Sequence, residues 1–149
     1  MLRLTAIASA AVLVTGVALA HKGATGIIAE RMAAMKNMGH ELKAIGDLLV
    51  GHAPLDSAAV VRHAIALHEN CHRTETMFPA GSIDHHSRAL PAIWERPDEF
   101  QAAMQRLHRA TESFVSTASL GDRTALAASV KQIGEICSGC HQTFRATQD

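Results

Sequence analysis

Four segments of the chain repeat apolar residues at steps of three and four positions, the spacing that places them on one face of an α-helix. Signals for helix starts and stops flank these segments, with glycine or proline after some of them and aspartate before others. The predicted helices span residues 25–50, 56–76, 97–120 and 122–144. No run alternates apolar and polar residues as a half-buried strand does, so the chain is predicted to be all-α.

The lengths of the connections predict how these helices pack. Residues 51–55 and 121–122 are short, so the first two helices and the last two helices are expected to be antiparallel pairs. The middle connection, 77–96, is long. The simplest arrangement is an antiparallel four-helix bundle in up-down-up-down order. The residues expected on the inward face of the first helix are Ile28, Met32, Met35, Leu42, Ile45 and Leu49, with Gly39 inside the stripe.

The N-terminal residues have the composition of an export signal. A basic residue precedes the uncharged stretch 4–20, and Ala18 and Ala20 form the small-x-small pattern of a signal-peptidase site. An uncleaved anchor is the alternative, but the stretch is short for the ~20 apolar residues of a spanning helix. Residues 1–20 are therefore predicted to be a cleaved signal peptide. Residues 21–149 are predicted to form one domain outside the cytoplasm, without stable membrane insertion.

Composition excludes two other classes of protein. The 149 residues include 14 Lys+Arg and 14 Asp+Glu, and a formal net charge of zero argues against a nucleic-acid binder. A mean hydropathy of +0.07 argues against a polytopic membrane protein. Aromatic side chains are few, with four Phe, one Trp and no Tyr. Something other than side chains is therefore expected to fill part of the core.

The last predicted helix carries Cys137-Ser138-Gly139-Cys140-His141, which is the C-x-x-C-H attachment motif of c-type haem. Positions i, i+3 and i+4 share one helix face, so both thiols can reach one porphyrin while the imidazole turns to the iron. A redox disulfide usually follows a strand and a structural zinc site needs four ligands, so both alternatives are weaker. The motif predicts one covalently attached haem c, with Cys137 and Cys140 as anchors and His141 as the proximal iron ligand.

Three regions of the chain together resemble the cytochrome c′ family, including its low-spin branch with methionine as sixth iron ligand. They are the C-terminal motif followed by Phe144 and Arg145, residues 30–36 in the first helix, and residues 77–82 through 89–94 in the long connection. The specific part is the position of the motif on the last helix of a four-helix bundle. The resemblance spans essentially all of the predicted mature chain, and the predicted signal peptide implies that this chain is periplasmic.

The resemblance also implies roles for residues outside the motif. Arg145 matches the family's basic residue beside the proximal imidazole. Arg31 matches an arginine that pairs with a haem propionate, the alternative being a solvated helix arginine. Met35 falls at the position that faces the distal side of the iron. In low-spin members a methionine there binds the iron, whereas in gas-binding members a bulky side chain fills the position without binding.

Two other residues of the first predicted helix are alternative iron ligands, and two residues are expected to have structural roles. Met32 is a second choice as sixth ligand, and Met38 is expected to be a packing residue. His40 borders the distal side, so a bis-histidine haem is conceivable. Cys71 is expected to be a buried free thiol rather than half of an interchain disulfide.

Two histidine pairs lie outside these regions. His68 and His72 are four residues apart on the second helix and could bind a metal ion, and His85 and His86 lie in the long connection. A solvated surface is the preferred interpretation of both pairs.

The sixth coordination position separates two functions. If the Met35 sulfur binds the iron, we expect a periplasmic electron carrier, because methionine–histidine ligation favours the reduced state. If Met35 only crowds the site, five-coordinate iron would bind NO or CO for scavenging or sensing. The softness of thioether sulfur favours electron transfer. The sequence shows no nucleophile–base pair and no second metal site, so no enzymatic activity is expected.

The expected partners are redox proteins, with a homodimer implied by the resemblance and no nucleic acid. The haem is expected to be part of the core. Without it, we predict a void lined by Met32, Met35, Ile133 and Phe144.

Overall fold

The structure, a computed structural model, describes residues 23–51 and 54–147. Its helices are α1 (Gly26–Val50), α2 (Ser57–Thr74), α3 (Ala92–Glu95), α4 (Pro97–Leu120) and α5 (Arg123–Phe144). The described residues contain no β-strand, only one isolated antiparallel bridge between Ala89 and Arg145. Within the same residues, each helix is too short or too polar to span a bilayer. The predicted signal peptide, 1–20, lies outside the described part of the chain.

The four long helices begin and end close to their predicted positions. The Asp56 carboxylate accepts a hydrogen bond from the Ala59 backbone amide at 2.9 Å before α2, and Asp122 caps α5 in the same way. Gly121 ends α4 with a φ of +69°, a left-handed conformation that glycine adopts without a side-chain clash. The prediction of an all-α domain is confirmed.

The long helices form a closed ring in which α1 packs on α2, α2 on α4, α4 on α5 and α5 on α1. Gly121 at the end of α4 lies beside Ser57 at the start of α2, so these two helices run in opposite directions. Arg123 at the start of α5 donates a hydrogen bond to the Leu49 carbonyl at the end of α1, at 2.6 Å. Neighbouring helices are therefore antiparallel, and the up-down-up-down order is confirmed.

The core between the long helices is one cluster of buried side chains, called the main cluster below. Its members are Met38, Ile45, Val60, Ala64, Leu67, Cys71, Leu107, Phe114, Ala118, Leu126 and Ile133. Phe114 is its only aromatic residue, and it is fully buried. The expectation that Met38 packs in the core and that Cys71 is a buried free thiol is confirmed.

The inward face of α1 differs from the predicted stripe. The buried residues are Ile28, Arg31, Ala34, Met38 and Ile45. Four residues expected to be buried are only half-buried, namely Met32, Met35, Leu42 and Leu49, and Gly39 is exposed. The buried face of α1 is rotated relative to the predicted stripe because it includes Arg31, whose buried guanidinium is hydrogen-bonded. A prediction based on apolar residues alone does not include a buried arginine.

The long connection contains one helix that was not predicted, α3, which packs against α4 and α5. Ile93 of α3 is buried. The Trp94 indole N–H donates to the carbonyls of Phe78 and Pro79 at 3.2 and 3.1 Å. The Trp94 bonds hold the connection together, and the packing of α3 on α5 places it beside the helix that carries the C-x-x-C-H motif.

Candidate functional site

The two thiols of the C-x-x-C-H motif face two different hydrophobic clusters. Cys137 and Cys140 are half-buried on the last turns of α5, and neither forms a disulfide. Cys137 packs against the main cluster, whereas Cys140 packs against a second cluster built around Ile93, Ala103 and Phe144. Burial raises the pKa of both thiols. The motif therefore lies along the boundary between the two clusters.

The second cluster holds most of the aromatic side chains of the protein, and we call its four aromatic residues the aromatic cluster: Phe78, Trp94, Phe100 and Phe144. The Phe100 ring lies edge-on to Phe78 and to Phe144, with centroid distances of 4.7 and 5.2 Å. The low aromatic content of the chain is thus uneven, because four of its five aromatic residues gather beside Cys140. This concentration was not predicted.

The predicted void is not found as one site. Ile133 belongs to the main cluster and Phe144 to the second cluster. Met35 packs against the main cluster, whereas Met32 packs against neither. The void expected without haem stays a prediction, and the residues expected to line it belong to more than one packing group because the long connection supplies a second cluster.

His141 is half-buried one residue after Cys140. Burial lowers the pKa of its imidazole, and the positive charges of Arg145 and Arg88 lower that pKa further. Within the described chain the imidazole has no hydrogen-bond partner. These features keep it neutral and available, and neutral imidazole is the form that binds a metal ion.

The end of α5 is tied to the long connection by backbone and arginine contacts. The Leu90 amide donates to the Phe144 carbonyl at 3.0 Å, and the Arg88 guanidinium donates to the Ala146 carbonyl at 2.7 Å. Arg145, predicted to lie beside the proximal imidazole, is the C-cap of α5 with an exposed side chain. Arg88 carried no signal in the sequence that would have placed it here.

Among the residues that the structure describes, Arg31 is the one buried residue with a charged side chain, and 5% of its surface is exposed. Its guanidinium donates to the Met77 carbonyl at 2.7 Å, and to the Ser82 carbonyl and hydroxyl at 3.1 and 2.6 Å. It also lies 4.3 Å from the centre of the Phe78 ring. Burial lowers its pKa, with Asp84 opposing the shift. The alternative of a solvated arginine is wrong.

The candidate distal ligands of the iron lie on α1, and the third cysteine lies on α2. Met35 is half-buried against the main cluster, the cluster that Cys137 also touches. Met32 is half-buried, and His40 is exposed. Cys71 is fully buried, and burial raises the pKa of its thiol to about 11.

Open space borders part of the motif. A groove of about 250 Å³ lies between α4 and α5, lined in part by Ala103, Cys140 and Phe144. A Cβ atom placed on Gly134 or Gly139 would have no neighbour within 4 Å. Two thiols that can form thioether bonds to the porphyrin and one imidazole that can bind the iron lie on one helix turn, and these side chains fit a c-type haem.

The fold and the site together define a helical-bundle cytochrome that carries its haem near the end of the last helix. The family model of cytochrome c′ matches residues 26–145, and the chain belongs to this family. Like the members of that family, it binds a covalently attached haem c. The resemblance, the fold class and the cofactor predicted from the sequence are confirmed.

Sequence and fold relatives agree with this assignment. The chain is 34% identical over 146 residues to a cytochrome c′ of Rhodopseudomonas palustris, covering 97% of each chain. It is 32% identical over 122 residues to a cytochrome c-556 of Agrobacterium fabrum, covering 82% of each. Its fold is similar to a solved ferrous variant of cytochrome c′ from Alcaligenes xylosoxidans with bound NO. The TM-score is 0.76 at 21% identity, covering 82% of this chain and 94% of that one.

Proposed function

We propose that this protein is a periplasmic electron carrier in which Met35 is the sixth ligand of the haem iron. The observation that carries the proposal is that Met35 of α1 and Cys137 of α5 pack against the same cluster. The Met35 sulfur therefore lies in the same part of the bundle as Cys137, one of the two cysteines proposed to anchor the haem. Because this carrier role needs no catalytic groups, we assign no enzymatic activity.

We propose that Cys137 and Cys140 hold the haem through thioether bonds and that His141 binds the iron on the proximal side. The bound haem supplies an iron that alternates between the ferric and ferrous states and so carries one electron. Arg145 and Arg88 act on His141 electrostatically, since both lower its pKa. Their positive charges also oppose the additional charge of ferric iron, and thus favour the reduced state.

Arg31 has a second role in this proposal. Its buried guanidinium donates to neutral acceptors on Met77 and Ser82, and the Asp84 carboxylate acts on it through its charge. A buried cation is stabilised by nearby anions, and a haem propionate would supply a second one. We therefore propose that Arg31 neutralises a propionate while it holds the long connection.

Among the three methionines near this position, Met35 fits the role best. Met38 belongs to the main cluster itself, so its side chain is occupied by packing. Met32 is half-buried and packs against neither cluster. Only Met35 combines a place at the edge of the main cluster with partial exposure of its side chain.

A second candidate function is the binding of NO or CO at five-coordinate iron. It is favoured by the fold neighbour from Alcaligenes xylosoxidans, which was solved with bound NO. In this case Met35 fills the distal side without binding the iron. Both functions use the same haem anchors, and they differ in whether the Met35 sulfur reaches the metal.

The spin state of the ferric holoprotein tests the choice. We expect a six-coordinate low-spin absorption spectrum with a methionine–iron charge-transfer band, and weak binding of CO by the ferrous form. Met35→Ala should convert the iron to high spin and allow tight CO binding. The matched variants Met32→Ala and Met38→Ala should remain low-spin, although Met38→Ala should be less stable.

A high-spin spectrum of the wild-type protein would reject the electron-carrier proposal and favour gas binding. Loss of the low-spin signal in Met32→Ala, with the signal of Met35→Ala unchanged, would instead assign Met32, one turn earlier on α1, as the sixth ligand.

Export and assembly form a separate part of the proposal. We propose cleavage after Ala20, release into the periplasm, electron exchange with other redox proteins and a homodimer. Mass spectrometry of the periplasmic fraction should give a chain that begins at His21. Sedimentation analysis should give twice the protomer mass, and a single protomer mass would reject the dimer.

A further inference from the structure

Two imidazoles and a carboxylate converge on the outer surface between α2 and α4. His72, Glu75 and His108 each offer one ligand atom, and these three atoms lie within 4.8 Å of one another. The sequence had indicated only His68 and His72 as a pair at helical spacing. The structure brings in Glu75 from the end of α2 and His108 from the middle of α4.

The Glu75 carboxylate lies between the two imidazoles. Its Oε1 atom is 2.5 Å from Nδ1 of His108, and its Oε2 atom is 3.7 Å from Nδ1 of His72. Glu75 is the C-cap of α2, and its backbone amide donates to the His72 carbonyl at 3.3 Å. The end of the helix therefore fixes the position from which both residues reach toward α4.

The His108 ring is held by neighbouring side chains. The His68 ring lies edge-on to it with a centroid distance of 5.0 Å, and the His72 ring does so at 5.7 Å. Nδ1 of His68 is 3.1 Å from the Thr111 hydroxyl, which keeps that ring in place. His108 is thus oriented from the side while its Nδ1 atom points to Glu75.

An ordinary ion pair consists of one imidazole next to one carboxylate, whereas here two imidazoles lie next to the same carboxylate. His63 and Glu41 show the ordinary case, with Nδ1 of His63 2.6 Å from Oε2 of Glu41. Among the described residues that pair has no third ligand atom within reach. Two nitrogen ligands and one carboxylate oxygen, by contrast, are a set that Zn²⁺ and similar divalent ions prefer.

We propose that His72, Glu75 and His108 bind one divalent transition-metal ion of the Zn²⁺ class, with water completing the coordination. Zinc ligands lie about 2.0–2.2 Å from the metal, so bound ligand atoms would be about 3.3 Å apart. The most distant of the three atoms, at up to 4.8 Å, would therefore approach by about 1.5 Å, whereas Glu75 Oε1 and His108 Nδ1, now 2.5 Å apart, would separate by about 0.8 Å. The side chains of His72 and Glu75 are 68% and 36% exposed, so they can move and an ion can enter.

A bound ion would join the end of α2 to α4 at the start of the long connection. That connection holds Met77, whose carbonyl accepts from Arg31. The metal site is thus separate from the haem anchors on α5, but it braces the segment that carries the Arg31 contacts.

The test is titration of the haem-loaded protein with Zn²⁺ at pH 7.5, followed by isothermal calorimetry. We expect one binding site, weakened at least tenfold in each of the variants His72→Ala, Glu75→Gln and His108→Ala. His63→Ala is the matched control, since it removes an imidazole from a His–Glu pair that lacks a third ligand. It should bind Zn²⁺ as the wild-type protein does.

Cobalt substitution tests the same site with a second ion. Co²⁺ added in place of Zn²⁺ should bind at one site by calorimetry and compete with Zn²⁺ for it, and this binding should disappear in the double variant His72→Ala with His108→Ala. Far-UV circular dichroism and the haem spectrum should be unchanged in all variants, which shows that they fold.

Three results would overturn the proposal. They are absence of Zn²⁺ binding to the wild-type protein, retention of full affinity in the double variant, and loss of binding in His85→Ala with His86→Ala while Glu75→Gln still binds. The spin state of the haem has no part in these outcomes, so they are independent of the proposed electron transfer.

Discussion

The guanidinium of Arg31 donates a hydrogen bond to the main-chain carbonyl of Met77 at 2.7 Å, across 46 positions of the chain. This contact joins the second turn of α1 to the beginning of the long connection. The same guanidinium reaches Ser82 and the face of Phe78. One buried side chain therefore holds the segment that covers the aromatic cluster.

Arg31→Ala should destabilise the holoprotein by about 3 kcal/mol, because it removes several hydrogen bonds from a charged donor and leaves buried carbonyls without partners. Denaturant unfolding should give this loss, and hydrogen exchange should accelerate in residues 77–87. Arg31→Lys should have an intermediate effect, since an ammonium group cannot donate to both carbonyls in the same fork. The exposed Arg62 provides the control, and an equal loss in Arg62→Ala would contradict the assignment.

Cys71 should make the stability of the protein fall at alkaline pH. Burial raises the pKa of its thiol from 9.0 to about 11, so the folded state holds the proton that the unfolded state loses first. The stability is complete below pH 9 and is lost as the pH rises toward 11. In the holoprotein the other two cysteines are thioethers, so only this thiol ionises.

The comparison of the wild-type protein with Cys71→Ala isolates this effect. Between pH 8 and pH 10 the wild-type protein should lose about 1 kcal/mol more stability than the variant, measured by urea unfolding. Parallel pH profiles would mean that the thiol ionises equally easily in the folded and unfolded states.

The N-cap residues of α5 and α1, Asp122 and Thr25, form a matched pair for testing the effect of a capping hydrogen bond on stability. The Asp122 carboxylate accepts from the backbone amides of Thr124 and Ala125 at 2.8 and 3.2 Å, whereas Thr25, at the start of α1, makes no such bond. Asp122→Ala should therefore cost about 1 kcal/mol. Thr25→Ala should leave the midpoint of thermal unfolding unchanged, and equal effects would remove the capping explanation.

The sequence predicted the long helices well because their ends carry local signals. Asp56, Asp122 and Gly121 act within one turn of their own position. The haem motif was also predictable, since its spacing is set by a single helix turn. The features that were not predicted depend on residues distant in sequence. Arg31 is an example, because an arginine is expected to be exposed unless the carbonyls of residues 77 and 82 are known to lie beside it.

The His108–Glu75 contact is another case of this kind. Neither residue has a helical neighbour that reveals the other, and only the packing of α2 on α4 brings them together. The second cluster was not predicted from the sequence for the same reason. Its residues come from the long connection, α4 and the end of α5.

Removal of the haem should leave a helical but loosely packed chain. Cys137 and Cys140 face two separate clusters, and the space between them would lose its occupant. Voids cost ~24 cal/mol per Å³, so even ~150 Å³ that fails to collapse would cost ~3.6 kcal/mol of a total of ~5–15 kcal/mol.

The double variant Cys137→Ala with Cys140→Ala, produced without haem supply, checks this prediction. It should retain its far-UV helical signal and show a weak, broad thermal transition. A sharp transition at the temperature of the holoprotein would show that the side chains close the core without the cofactor.

The closed ring of helices has a consequence for the order of folding. Successive antiparallel helices can pair with their neighbours early, because local contacts require little loop closure. Contact between α1 and α5 joins the two ends of the ring and is therefore expected to form last. Met35 and Cys137 lie on these two helices. After dilution from denaturant, the rate at which the iron regains its methionine ligand would therefore measure the rate at which the α1–α5 contact forms.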